Sequence, residues 1–255
     1  MRGDHEVKIP WQAMRGLDIT RQDLAVPKAL PVPSPWMGHV FFARWLMRVF
    51  RPSVFVELGT HQGFSYFTFC EVVRENGFDT KCHAVDHWEG DPHSGRYGSD
   101  IFESVSDFNR RYSSFSSLHR MSFDDALAHF TDNSVDLLHI DGLHTYEAVK
   151  HDFETWLPKL SDRAVVLFHD TIESGGDFGV WKFWEKIRTR YPHMNFHQSH
   201  GLGVLGVGQG FPDPVMHLFR AAEEPESCNN MRLYFIELSR RFMAEAYGST
   251  FPASL

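Results

Sequence analysis

The stretch Val54-Phe55-Val56-Glu57-Leu58-Gly59-Thr60-His61-Gln62-Gly63-Phe64-Ser65 decides the fold of this chain. It begins as a short apolar run, which is typical of a buried parallel strand. It continues through an acid and two spaced glycines into a pattern with helical periodicity. A strand, a glycine turn and a helix present backbone N–H groups to a nucleotide-sized ligand. The dinucleotide fingerprint G-x-G-x-x-G is absent, and a tight turn that binds no ligand is the alternative interpretation of this stretch alone.

The composition limits the class of protein. The 255 residues are enough for one large α/β domain or two small ones. The formal net charge is −8 and no basic run occurs, which argues against nucleic acid as the main partner. The three cysteines lack zinc-ligand spacing and no signal peptide precedes them, so we expect a cytoplasmic setting. Two arginines interrupt the most apolar helix candidate, residues 39–50, so we expect no membrane span.

Strand-like and helix-like segments alternate from residue 53 to residue 192, which predicts a doubly wound sheet with helices on both faces. The predicted strands are residues 53–57, 81–86, 117–121, 135–141, 164–170, 194–197 and 203–207. The last two are joined by a connection too short for a crossover helix, so they should be antiparallel to each other. We therefore expect a Rossmann-like α/β fold with a seven-stranded, mostly parallel sheet and an antiparallel last strand.

We expect a single domain over residues 1–255, because no linker separates two halves. Residues 1–50 form a proline-rich approach segment and a helix, residues 51–208 the ligand-binding core, and residues 209–255 two C-terminal helices. One face of the last helix is apolar and aromatic, so it should pack on the body or on a partner subunit, and a homodimer is a credible expectation. The long polar loop 87–100 is of the kind that is usually functional or mobile.

Four predicted strands end in an acid: Glu57, Asp86, Asp141 and Asp170. Ligands of an open parallel sheet bind beyond the carboxyl ends of its strands, so these four acids should meet at one edge. Asp86 stands where the second strand would meet a ribose and accept hydrogen bonds from its two hydroxyls. A simple cap for the following loop is the alternative interpretation of Asp86.

With these residues in view, the chain resembles a class I S-adenosylmethionine-dependent methyltransferase from about Pro35 to Gly208. The resemblance rests on Glu57-Leu58-Gly59-Thr60-His61-Gln62-Gly63-Phe64-Ser65, Val85-Asp86-His87-Trp88-Glu89-Gly90-Asp91, His139-Ile140-Asp141-Gly142-Leu143-His144-Thr145-Tyr146-Glu147, Phe168-His169-Asp170-Thr171 and His200-Gly201-Leu202-Gly203. Their order and spacing resemble a subgroup found near, or fused to, bacterial glycosyltransferases, and more distantly catechol O-methyltransferase. The resemblance implies S-adenosylmethionine as the cofactor.

The resemblance also implies which residues contact that cofactor: Glu57, Gly59, Thr60, His61, Gly63, Ser65, Asp86, His87, Ser122, Phe123 and Asp141. The glycine-turn members of this set would border the methionine portion, with Ser65 binding its carboxylate. Asp86 would bind the ribose, while Ser122 and Phe123 would lie at the adenine edge. Asp141 would stand near the transferring methyl group.

Methyl transfer is an in-line displacement, so catalysis is mainly positioning together with removal of a proton from the acceptor. In the catechol-type enzymes a magnesium ion sits on the acid of the fourth strand and on two residues ending the fifth. The equivalent positions here are Asp141, His169 and Asp170, and His144 stands where that family has its basic lysine. A histidine is a sensible base because its unperturbed pKa is about 6.5. The alternative for His144 is a residue beside a helix N-cap with no chemical role.

The residue types leave the metal ion open. Asp141 and Asp170 are hard oxygen ligands, but His169 replaces an oxygen donor that magnesium favours. The site could hold Mg²⁺ or another divalent cation, use two protein ligands with water, or hold none. The leading hypothesis is O-methylation of a small-molecule or glycan acceptor, such as a sugar or another hydroxylated metabolite, with His144 and Asp141 as the catalytic residues.

Two other functions remain open on the same fold. Some relatives of this fold are associated with hydroxylation, although Asp141, His169 and Asp170 give one imidazole where the iron facial triad needs two, and His144 would have to supply the second. A non-catalytic module that binds the cofactor beside a glycosyltransferase is the third hypothesis. It predicts cofactor binding without methylation of any acceptor.

Overall fold

The computed structural model describes residues 14–27 and 34–247. The predicted approach segment is therefore described only in part, and its prolines Pro31 and Pro33 lie outside the described residues. Ser34 caps the first turn that follows, because its side chain accepts a hydrogen bond from the backbone N–H of Trp36. A short 3₁₀ turn, Pro35–His39, then leads directly into the first long helix.

The strands and helices follow the predicted alternation closely. The strands are β1 (Val54–Leu58), β2 (Lys81–Asp86), β3 (Gly90–Asp91), β4 (Gly95–Arg96), β5 (Ser116–Arg120), β6 (Val135–Ile140), β7 (Leu160–His169), β8 (His193–Phe196) and β9 (Leu202–Gly206). The helices are α1 (Val40–Phe50), α2 (Phe64–Asn76), α3 (Ser99–Asn109), α4 (Phe123–Ala126), α5 (Tyr146–Trp156), α6 (Val180–Ile187), α7 (Asp213–Ala222) and α8 (Pro225–Tyr247).

Within the described residues, seven strands form the main sheet in the order β5-β2-β1-β6-β7-β9-β8. The five strands from β5 to β7 are parallel, and β9 runs antiparallel to both β7 and β8. The predicted mostly parallel sheet with an antiparallel last strand is confirmed. Because the strand order reverses between β1 and β6, their carboxyl ends form the crevice where ligands bind in such sheets.

Both faces of the sheet are covered by helices, as predicted. Successive side chains of a strand point to opposite faces, so Phe55 packs on the layer of α1 and α2 while Val56 packs on the layer of α5 and α6. Trp45 and Trp184 are large, fully buried members of the two layers. Each buried side chain of this size stabilises the fold by roughly 1.5–3 kcal/mol relative to its exposed state.

The two arginines that interrupt the apolar helix candidate are ion-paired inside the protein. Arg44 of α1 is 1% exposed and its Nη2 lies 2.6 Å from the carboxylate of Glu75. Arg48 donates from Nε to Asp23 at 2.6 Å and thereby connects residues 14–27 to α1. Removing one partner of such a pair leaves a poorly solvated charge, so these pairs fix the position of α1.

The aromatic face of α8 packs on the body of the same chain. Phe235 is 1% exposed and its ring centroid lies 5.5 Å from that of Phe42 in α1. Phe242 makes a similar edge contact with Phe41 at 5.9 Å. The aromatic face of α8 was expected to pack either on the body of the chain or on a partner subunit, and the structure shows packing on the body. The homodimer stays a prediction.

The predicted loop 87–100 contains more structure than its sequence indicates. Gly90 pairs with Arg96, and Asp91 with Gly95, in a two-stranded antiparallel hairpin of β3 and β4. Strands of two residues have no hydrophobic periodicity, so the pattern that predicts the other strands is absent here. The hairpin lies over the carboxyl end of the sheet and carries His93, a residue that the sequence analysis did not select.

Candidate active site

The glycine turn, residues Leu58–Ser65, needs glycine at two positions for different reasons. Gly59 has φ +89°, and a Cβ there would strike the backbone carbonyl of Asp141. Gly63 has φ +83°, and a Cβ there would strike the ring of Phe67. Such φ values are unfavourable for residues with a side chain. The turn thus packs tightly against the end of β6. Gly63 is the N-cap residue of α2, so the backbone N–H groups that follow it lie at the start of that helix.

Asp86 ties the glycine turn to the loop that follows β2. One carboxylate oxygen accepts from the backbone N–H of His61 at 2.8 Å, and the other accepts from the backbone N–H of Trp88 at 2.6 Å. The indole Nε1 of Trp88 donates in turn to the His61 carbonyl at 2.9 Å. A carboxylate has about four acceptor positions, so Asp86 can bind these two donors and still accept from a ligand hydroxyl.

A cavity of about 570 Å³ opens at the carboxyl end of the sheet. Most of the predicted site residues line it: Gly59, Thr60, His61, Gly63, Ser65, Asp86, His87, Ser122, Phe123, Asp141, His144 and His169. Two predicted residues, Glu57 and Asp170, are not part of its wall. Drug-sized and cofactor-sized ligands are bound in cavities of this volume. The structure therefore brings the cofactor candidates and the catalytic candidates to one place.

Glu57 lies beneath the cavity and not on its wall. It pairs in register with His139 across β1 and β6, and its carboxylate accepts from His139 Nδ1 at 2.8 Å. Both side chains are fully buried, and burial raises the pKa of Glu57, although its hydrogen bond to His139 acts in the opposite direction. His139 is thus a hydrogen-bonded histidine of the core, and Glu57 is its partner.

Four side chains meet where β6 and β7 end: Asp141, His144, His169 and Asp170, which we call the acid–imidazole cluster. His144 Nε2 lies 2.9 Å from Asp170 and 3.7 Å from Asp141. His169 Nδ1 lies 3.2 Å from Asp141 and 3.3 Å from Asp170. Asp170 has φ +61°, an uncommon conformation for a residue with a side chain, which turns its carboxylate toward the cluster.

The cluster is balanced in charge. Burial alone would lower the pKa of His144, but hydrogen bonds to Asp141 and Asp170 and the charges of these acids raise it to about 10. The same two carboxylates raise the pKa of His169 against the effect of burial. Conversely, the two imidazoles lower the pKa of Asp141 and Asp170 although burial acts to raise both. In this arrangement the two imidazoles and the two carboxylates each favour the charged form of the other.

The cluster also has the donor set of a divalent-metal site. One ligand atom each from Asp141, His144 and Asp170 lies within 4.8 Å of the others. His169 donates from Nε2 to the Ser199 carbonyl at 3.0 Å, which directs its other nitrogen toward the acids. Metal-binding histidines usually make a backbone hydrogen bond of this kind. The residues present therefore fit a divalent cation, and mixed oxygen and nitrogen donors favour a transition metal over magnesium.

His93, from the β3–β4 hairpin, covers His144 from the outside. Its Nδ1 lies 3.2 Å from His144 Nδ1, and its Nε2 lies 2.7 Å from the exposed Asp177. Phe178 stacks on the ring of His144 with a centroid distance of 5.0 Å. These three residues were not predicted from the sequence, because they lie in connecting segments without hydrophobic periodicity. For His93, the polar character of the loop 87–100 was the available signal.

A family model described as a methyltransferase domain matches residues 56–171. A relative from Sinorhizobium fredii, the uncharacterized protein y4gI, is 44% identical over 223 residues. That match covers 88% of this chain and 24% of the relative, so the chain spans about a quarter of the length of this curated relative.

Residues 56–171 are a methyltransferase domain.

Solved structures agree with this assignment at the level of the fold. The S-adenosylmethionine complex of the O-methyltransferase TomG from Streptomyces achromogenes matches with a TM-score of 0.51, 17% identity and coverage of 78% of this chain and 87% of that one. A methyltransferase from Podospora anserina bound to S-adenosylhomocysteine matches with a TM-score of 0.51, 13% identity and coverage of 69% and 80%. The methyltransferase domain thus has the class I methyltransferase fold.

These findings decide several expectations. The family and the fold support S-adenosylmethionine as the cofactor, and they favour neither the hydroxylase nor the non-catalytic module. Among the helices of the described residues, none combines the length and the apolar content needed to cross a bilayer. The roles of the individual site residues, the metal ion and the cellular location of this methyltransferase domain stay predictions.

Proposed function

We propose that this methyltransferase domain transfers the methyl group of S-adenosylmethionine to a hydroxyl group of a small acceptor, such as a sugar or another hydroxylated metabolite. One observation carries the proposal: one cavity in the described residues is lined both by the glycine turn with Asp86 and by Asp141, His144 and His169 of the acid–imidazole cluster. The turn and Asp86 suit a nucleoside with an amino-acid tail, and the cluster suits activation of a hydroxyl group.

In this proposal the cofactor lies across the ends of β1 and β2. Its methionine portion borders Gly59, Thr60, His61 and Gly63, and the backbone N–H groups at the start of α2 face its carboxylate together with the Ser65 hydroxyl. The ribose hydroxyls donate to Asp86, with His87 alongside. The adenine then reaches Ser122 and Phe123. This orientation leaves the sulfonium methyl group on the side of Asp141.

His144 is the base in the proposal, and its protonation links it to the metal site. While Asp141 and Asp170 have no other counter-ion, His144 holds a proton at neutral pH and cannot take another. Asp141, Asp170 and His169 would hold a divalent cation, and that cation would supply positive charge that lowers the pKa of an acceptor hydroxyl. With the two carboxylates neutralised in this way, the pKa of His144 would be lower, and its Nε2 would be free to accept the hydroxyl proton. The base and the cation are therefore expected to act together.

The rest of the chain is assigned in the same proposal. Residues 51–208 bind the cofactor, while residues 1–50 and 209–255 complete a single domain of 255 residues. Acceptor specificity is assigned to the segment 1–50, to the loop 88–100 and to the region after residue 172. The greater length of the relative leaves room for a further catalytic unit beside this one, such as a glycosyltransferase.

Titration calorimetry with S-adenosylhomocysteine tests the cofactor assignment. The wild type should bind, and Asp86→Asn should weaken binding by roughly tenfold or more, because a charged acceptor is worth about 1.5–3 kcal/mol. Asp107→Asn, at an exposed position in α3, removes the same charge far from the cavity and should bind as the wild type does. Failure of the wild type to bind would overturn the proposal. Release of S-adenosylhomocysteine during incubation of the enzyme and S-adenosylmethionine with sugars or catechols then tests the acceptor class. The same assay with added Mn²⁺ or with a chelator tests the cation.

A further inference from the structure

Asp152 lines the cavity together with Ser122, Phe123, Ala148 and His151. We call this part of the wall the α4–α5 end of the cavity. Asp152 is only 6% exposed, yet it lines the cavity. A Cβ on Gly142 would stand 2.5 Å from the ring of Phe123 and 3.5 Å from Asp152 Oδ2. The ring, the glycine and the carboxyl group are thus in close contact on one part of the wall.

Within residues 14–27 and 34–247, no N–H or O–H group donates a hydrogen bond to the Asp152 carboxyl. Its charged neighbours are His151 and Asp124, and the Nε2 of His151 is engaged by Asp124 at 2.9 Å. Burial raises the pKa of Asp152 to about 7, while the charge of His151 acts in the opposite direction. Buried polar groups in proteins nearly always have a partner, so this carboxyl group needs an explanation.

The other polar side chains at this end already have partners. The Ser122 hydroxyl donates to the Asp125 carboxylate at 2.7 Å and accepts from the Asp125 backbone N–H at 3.1 Å, as a helix cap does. Asp124 is bound to His151. Of the polar groups at the α4–α5 end in the described part of the chain, Asp152 is therefore the acceptor that remains for a ligand. The apolar surface beside it comes from Phe123, Leu143 and Ala148.

We propose that Asp152 is a specificity-determining residue that accepts a hydrogen bond from the exocyclic amino group of the cofactor's adenine. The inference rests on the proposed function, which places adenine beside Phe123. The amino group supplies the donor that the carboxyl lacks, and the apolar surface receives the flat ring. A purine without that amino group leaves the buried acid unpaired, and sites of this kind discriminate strongly against such analogues.

The experiment compares two ligands by titration calorimetry: S-adenosylhomocysteine and its analogue with hydrogen in place of the 6-amino group. The wild type should bind the analogue about tenfold to a hundredfold more weakly, as expected for one hydrogen bond to an acid. Asp152→Ala should bind both ligands with equal affinity. Asp152→Asn keeps a carbonyl acceptor and should retain part of the discrimination. Glu154→Gln removes the same charge from an exposed position of α5 and should discriminate as the wild type does.

The outcomes separate the inference from the proposed function. If the wild type binds S-adenosylhomocysteine but does not distinguish the analogue, the role of Asp152 is overturned and the cofactor assignment stands. If the wild type binds neither ligand, both are overturned. Discrimination that persists in Asp152→Ala also overturns the inference, and the melting temperature of each variant verifies that it is folded during the measurement.

Discussion

The glycine turn and the acid–imidazole cluster both contribute to the wall of one cavity, but they are built on different principles. The turn is defined by backbone conformation, since Gly59 and Gly63 have φ near +85° and their neighbours leave no room for a Cβ. The cluster is defined by side-chain charge, because two imidazoles and two carboxylates hold one another within hydrogen-bonding distance. A substitution in the turn should therefore affect folding and cofactor binding, whereas one in the cluster should affect chemistry.

The largest expected effect comes from Asp170→Asn, which keeps the shape of the cluster and removes one of its charges. Because Asp170 does not line the cavity wall, the affinity for S-adenosylhomocysteine should stay within a few-fold of the wild type. The rate of methyl transfer should fall by about 10²–10⁴, the usual contribution of a positioned acid or base. Single-turnover rates and calorimetry on the same preparation give both numbers. An equal loss of binding and of rate would remove the distinction between the two regions.

The second effect concerns the turn and has a matched control. Gly59→Ala combines a positive φ with a clash against the Asp141 carbonyl, whereas Gly77→Ala has φ +64° and no heavy atom within 4 Å of the new Cβ. The positive φ alone costs about 1–2 kcal/mol, and overpacking adds roughly 1–3 kcal/mol at position 59. In urea unfolding, the free energy of unfolding of Gly59→Ala should therefore be well below that of Gly77→Ala. Only Gly59→Ala should also lose cofactor affinity. Equal destabilisation by both substitutions would show that the contact with Asp141 is not important.

The same difference explains what the sequence could predict. Gly59 and Gly63 were found because a positive φ and a close backbone approach require a specific residue type, which is visible in the chain. Asp86 and Asp141 were found because strand ends are visible in an apolar pattern. Glu57 was expected at the cofactor, but in the structure it faces the same helical layer as Phe55. Because residues two apart in a strand point to the same face, this orientation could have been predicted from the sequence.

Other parts of the site depend on contacts that are distant in sequence. His93 reaches His144 only because the β3–β4 hairpin folds over the sheet, and two-residue strands leave no pattern to detect. Asp152 reaches the cavity only because α5 lies beside Gly142 and Phe123, which are distant from it in sequence or on other elements. The charge balance of the cluster also requires the distances themselves. Residue types at strand ends therefore predicted which side chains gather at the cavity, while the charge balance of the cluster could be derived only from the structure.

The smallest expected effect concerns the protonation of His144 and His169. The number of protons released when a cation binds to the cluster measures it directly. The pKa of His144 is about 10 in the folded protein, above the usual 6.5, so at pH 7.5 the ring is protonated while the carboxylates are its partners. A divalent cation on Asp141 and Asp170 replaces that positive charge and lowers the pKa of His144, so a proton leaves as the cation binds. His169 has the same two partners and a raised pKa, so it can release a second proton.

Calorimetric titration of Mn²⁺ at pH 7.5, in buffers that differ in ionisation enthalpy, measures this release. We expect roughly one to two protons per cation, and an apparent affinity that rises up to about tenfold per pH unit for each proton released. His144→Asn should reduce the count by about one, and the release should vanish as the pH rises above the pKa of the free cluster. Binding of Mn²⁺ with no proton released would mean that the imidazoles are neutral, so that the carboxylates of the cluster are balanced by something other than His144 and His169. His144 would then be available as a base without any cation, and the cluster would resemble the glycine turn in depending on its geometry more than on its charge.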